Sequence, residues 1–170
     1  MGTLPPIPER SVHDLADQVR VLRALRAHVI DDERALAASR MSGLITARAA
    51  FDEHVRIGQM RADDHRLTGA IRRQATEAHP SLAARAERVL LLVDEVLALE
   101  HEAAAGDDPA MRRAMARQAE AELVTEAEAL GRAIEAGHAT RRARAERDLE
   151  PASAVVGGRE RARLRLIVAP

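Results

Sequence analysis

The stretch LAARAERVLLLVDEVLALEHEAAA, residues 82–105, decides how this chain is read. Within it Leu82, Ala86, Val89, Leu90, Val93, Val96 and Leu97 return mostly at three- and four-residue steps, the spacing of one helix face. At Val89-Leu90-Leu91-Leu92-Val93 the apolar side chains nearly encircle the helix, which predicts a position at the centre of a bundle of neighbours. Both ends are punctuated. His79-Pro80-Ser81 stops the preceding helix, because a residue before proline avoids the helical region, and Ser81 is placed to cap the next start. Gly106, Asp107-Asp108 and Pro109 read as a stop, a cap and a first-turn proline.

Working outward, Val12, Leu15, Val19, Leu22, Leu25, Val29 and Leu36 predict a first helix to about residue 39, with Ser11 and Asp14 as its capping pair. Ser42-Gly43 is either a break or part of a continuous helix. A second run spans residues 44–78 on a stripe of Leu44, Ile45, Phe51, Val55, Met60, Leu67, Ile71 and Ala75. That stripe loses phase near Gly58, Asp63 and Asp64, which predicts a kink or a solvent-exposed middle. Met111, Met115, Ala119, Leu123, Ala127, Leu130 and Ile134 define the fourth helix, stopping at Gly137 or fraying on to Leu149. The fold predicted is an all-α antiparallel bundle of about four helices with coiled-coil-like packing and an extended C-terminal tail. Its parts are a lead-in at residues 1–10 with Pro5, Pro6 and Pro8, a bundle over 11–149, a linker at 150–158 behind Pro151, and a strand-like tail at 159–170.

Composition supports this and excludes much chemistry. Of 170 residues 46% are hydrophobic, but Ala dominates, Phe51 is the only aromatic, and the core must be built from Leu, Val, Ile, Met and Ala. All 26 basic residues are arginine, so chemistry that needs a lysine amine is absent. There is no cysteine, which removes disulfides, thiolate ligands and thiol nucleophiles. The N-terminal stretch lacks a basic region followed by an apolar run, so no signal peptide is expected, and no apolar run reaches membrane-spanning length. The expected compartment is the cytoplasm. No nucleophile elbow and no glycine-rich phosphate loop occurs.

Seven histidines leave one metal hypothesis. If the helices fold back near residues 40 and 80, His28, His54 and His101 fall at one level, where three imidazoles could hold a divalent ion. Glu135-x-x-His138 is the one Glu-x-x-His spacing of the kind used in metal-binding bundles. Adjacent acids such as Asp31/Asp32 and Asp63/Asp64 point about 100° apart on a helix and do not share a site by themselves.

Charge is asymmetric. Residues 138–170 hold eight Arg against four acids, net +4, while residues 1–137 hold eighteen Arg against twenty-three acids, net −5. The tail alternates Arg161, Arg163 and Arg165 with Ala162, Leu164, Leu166 and Val168, a period-two pattern that predicts a strand with one apolar face. Arg163, Leu164, Arg165, Leu166 and Val168 are therefore the expected partner-binding residues, by strand addition to a partner's sheet edge. The near-zero total charge and the missing aromatics argue against nucleic acid. The sequence thus predicts a non-enzymatic interaction, scaffold or assembly protein that takes a protein partner or another subunit and no cofactor. The alternative is a metal-binding bundle that stores, senses or does redox work with a divalent ion.

Overall fold

The computed structural model describes residues 15–106 and 108–167, with side chains described up to Arg147. Four helices run in order: α1 (Leu15–Met41), α2 (Ala47–Ala78), α3 (Ala83–Ala105) and α4 (Pro109–Ile167), with a short 3-10 turn at Pro80–Leu82 before α3. Among the described residues there is no strand. The lead-in, Ser11, Val12, Asp14, Asp107 and Val168 lie outside the described residues. The chain divides into two units, Met1–Ile134 and Glu135–Pro170.

Local chemistry sets the helix ends. The Ser42-Gly43 step is a true break: Gly43 has φ 67, a left-handed conformation that glycine adopts without the Cβ clash other residues meet. α2 then starts on Thr46, whose hydroxyl accepts from the Ala49 amide at 3.2 Å. Ser81 does not cap α3, which starts after Leu82 without a side-chain cap; His79 caps the 3-10 turn before it, the imidazole Nδ1 accepting from the Ser81 amide at 3.3 Å. Asp108 caps α4 as expected, its carboxylate accepting from the Met111 amide at 3.1 Å.

In the first unit the helices alternate in direction. Arg72 pairs with Glu87 between α2 and α3, and Arg85 with Glu126 and Arg88 with Glu122 between α3 and α4. Arg72 holds the Glu87 carboxyl below its ordinary range, chiefly through the hydrogen bond between them. The main core is shared by all four helices: Leu15, Val19 and Leu22 of α1; Ile71, Ala75 and Ala78 of α2; Ala86 through Leu97 of α3; Ala119, Leu123, Ala127, Leu130 and Ile134 of α4. In the near-encircling run of α3, Val89, Leu90, Leu92 and Val93 are buried and only Leu91 faces out. A second, smaller core of Leu25, Leu36, Ala50, Ile57 and Met60 is supplied by α1 and α2 alone.

Three expectations need correction. The predicted stripe of α2 is out of phase in its first half, where Ala50, Ile57 and Met60 are buried while Phe51 and Val55 are exposed. α2 stays helical through Gly58 to Asp64 and keeps Met60 buried there, so the phase loss marks the change from the exposed Phe51 and Val55 stripe to the buried one and not a solvent-exposed middle. Finally, α4 runs to Ile167, across the segment predicted as a linker (150–158) and the described part, 159–167, of the segment predicted as a strand (159–170). Pro151 removes one amide donor from the ladder, but from Arg159 to Leu166 every residue is Arg, Glu, Ala or Leu, which are strong helix formers. Six alternating residues are too short a period-two signal to outweigh them.

Candidate functional site

The α1–α2 hairpin is the least covered part of the first unit. Its small core draws on two helices, and large apolar side chains stand in solvent around it: Met41 is 88% exposed, Leu44 84%, Phe51 65% and Val55 43%. Isolated apolar side chains on a surface need no explanation, but these four gather between the last residue of α1 and the third turn of α2. The hairpin beneath is fixed by charge. Arg56 binds both Glu53 and Asp32, the latter at 2.8 Å, and Arg61 binds Glu33. Hydrogen bonds to Glu53 and Asp32 hold the Arg56 guanidinium above even its usual high pKa, so it stays charged.

Beside the hairpin, α1, α2 and α3 enclose an open groove of about 650 Å³. Val29, Ile30 and Leu97 give it an apolar floor, and Arg26, Arg34, Arg61, Asp64, His65, Asp94 and His101 give it a charged rim. Arg26 is the hub of that rim. Its guanidinium reaches Asp64 at 3.1 Å, Asp94 at 2.6 Å and the Thr68 hydroxyl at 3.0 Å, tying all three helices together. The opposing charges on the rim are thus largely spent on one another. The arrangement can hold helices in register and can bury an apolar group, but it presents no acid–base pair poised on a shared substrate position.

The predicted histidine ligands do not converge. His28 is exposed, with Nδ1 hydrogen-bonded to the Ala24 carbonyl at 2.7 Å. His54 is exposed on α2. His101 is exposed and accepts from Arg34 through Nε2. A guanidinium can only donate, so that ring nitrogen is engaged as an acceptor. His28 does not share a level with His54. Arg26 pairs with Asp64 and Arg56 with Asp32, so His28 lies across from the region of His65. A fold-back near residue 40 puts the turn too early; it centres near Leu44 and Ile45, and each residue of displacement moves the facing residue by two. The pair that does share a groove is His65 with His101, and the hairpin register is the signal that would have found it. In the second unit Glu135 is exposed and His138 half-buried. Among the described residues no three His, Asp or Glu side chains gather closely enough to hold a metal ion. Arg163, Leu164, Arg165 and Leu166 lie on the helical backbone of α4.

Fold and surface together define an all-α four-helix bundle with an uncovered apolar end. Among the described residues no helix is long and apolar enough to cross a membrane. Comparison with known proteins finds no matching family model, no matching curated protein and no matching solved structure.

Proposed function

We propose that the chain is a non-enzymatic interaction or assembly module that engages a protein partner, or another copy of itself, through the α1–α2 end of its bundle. One observation supports this above others: Met41, Leu44, Phe51 and Val55 stand exposed around a core that only two helices supply. Leaving such side chains in water forgoes about 1.5–3 kcal/mol each relative to full burial, and a partner recovers it. The C-terminal segment is a secondary candidate, acting as a helix; strand addition is set aside because its backbone is helical to Ile167.

The test is a photo-reactive amino acid placed at Met41 or Leu44 in the full chain, irradiated in cells. Covalent adducts to protein at both positions are expected. Irradiation that leaves the chain unmodified at both positions would refute the reading. Elemental analysis of the purified protein tests the alternative. Fewer than about one divalent ion per ten chains is expected, with the melting temperature unmoved by chelator. A full equivalent of metal, lost on His101→Ala, would replace the interaction module with a metal-binding bundle.

A further inference from the structure

The first half of α2 is apolar on two nearly opposite faces. One, Ala50, Ile57 and Met60, is buried against α1. The other, Phe51, Val55, Gly58 and Ala62, advances by steps of four, three and four residues and is exposed along its whole length. Gly58 is the telling residue. It lies inside a helix, where glycine destabilises relative to alanine, and nothing stands within 4 Å of where its Cβ would be. Neither a turn nor a close approach within the chain explains a glycine there. A helix packed across that face from outside would explain it, because small residues let backbones come close.

Resting on the interaction-module reading, we infer that this face of α2 is occupied by the same face of a second copy, the two helices running antiparallel. The stripe is complementary to itself in shape, and the charges that flank it can pair across the same axis. A two-fold axis passing between Val55 and Arg56 brings Phe51, the one large ring in the chain, over the gap between Gly58 and Ala62 of the other copy. The same axis sets Arg48 across from Asp63 of the other copy, twice by symmetry. Among the described residues Arg48 forms no ion pair, and Asp63 shares its carboxylate only with its own neighbour Arg66. In a parallel pairing Arg48 would face Arg48, like charge against like. The contact from residue 48 to residue 63 is about 24 Å long, one helix wide. At a helix width of about 10 Å it covers about 240 Å² on each copy, well below the roughly 1,200 Å² in total that a standard stable interface buries, so the association is reversible and depends on concentration.

Sedimentation equilibrium of the purified full chain, across a hundredfold range of concentration, reads this directly. The mass is expected to rise from 18.5 kDa toward twice that value. Gly58→Leu fills the gap Phe51 needs, so it is expected to stay monomeric while melting no lower than the parent. Arg48→Asp alone is expected to weaken dimerisation at least tenfold, and Arg48→Asp with Asp63→Arg to restore it. A chain that stays monomeric throughout, while adducts still form at Met41 and Leu44 in cells, overturns the second copy but leaves the interaction module standing. A dimer indifferent to Gly58→Leu overturns the proposed face, and failure of the double reversal to restore pairing overturns the antiparallel register.

Discussion

Leu22→Ala is expected to lower the unfolding free energy by about 2–5 kcal/mol, read as a shift in urea midpoint at constant slope. Leu22 is fully buried where α1 meets the shared core. Truncating it removes three carbons whose burial is worth about 0.8 kcal/mol each, and leaves a cavity besides. The surroundings cannot easily close that cavity. The core it belongs to is rich in alanines such as Ala75 and Ala86, which have no side chain to swing in, and no aromatic ring lies in either core. Against a total stability of about 5–15 kcal/mol this is a severe loss. Leu91→Ala is the control: the side chain faces out from the same apolar run, so its truncation is expected to cost less than about 0.5 kcal/mol. Equal effects at Leu22 and Leu91 would mean that the faces of the bundle are wrongly assigned.

Arg26→Ala is expected to cost about 1–3 kcal/mol, more than any other charge removal in the described bundle. The reason is geometry rather than charge count. Most ion pairs here join side chains that are about half in water, and exposed pairs contribute about 0–1 kcal/mol. Arg26 differs. Its side chain is only 17% exposed, and it satisfies both the Asp64 carboxylate, 24% exposed, and the buried Thr68 hydroxyl. Removing it leaves the Asp64 carboxylate, still accepting from the Thr68 hydroxyl at 3.1 Å, without its charged partner where water reaches poorly. Its link to Asp94, which is 61% exposed, adds little. A double-mutant cycle separates the two: coupling of about 1 kcal/mol or more is expected between Arg26 and Asp64, and about 0.5 or less between Arg26 and Asp94. The reverse order would show that the hub lies on the α3 side.

How much of the molecule is legible in the sequence depends on which interaction decides each feature. Helices α1 to α3 are readable because their ends are set locally, by Gly43, by the His79-Pro80 step and by Gly106, and because Leu, Val and Ala repeat with helical spacing between them. The phase of α2 is not. Phe51 and Val55 look like core residues because they are large and helically spaced, yet Ala50, Ile57 and Met60 are helically spaced as well, and only packing against α1 chooses between the two stripes. The histidine constellation fails for a related reason. Which residues share a level is set by where the hairpin turns, and a small error at Ser42-Gly43 doubles across the hairpin. The groove with His65 and His101 is hidden by the same cause, since it joins three helices. The C-terminal segment reads as a strand only when local alternation outweighs residue propensity, and in α4 propensity wins.

On these grounds α2 carries one face for the fold and another for a partner. Paired measurements on Ile57→Ser and Phe51→Ser, melting by circular dichroism and mass by sedimentation, test that division most directly. Ile57→Ser is expected to lower the melting temperature markedly, because that side chain is buried between α1 and α2. Phe51→Ser is expected to melt with the parent protein and to lose association. A Phe51 variant that melts as early as the Ile57 variant would place the ring inside the fold and contradict the division of faces.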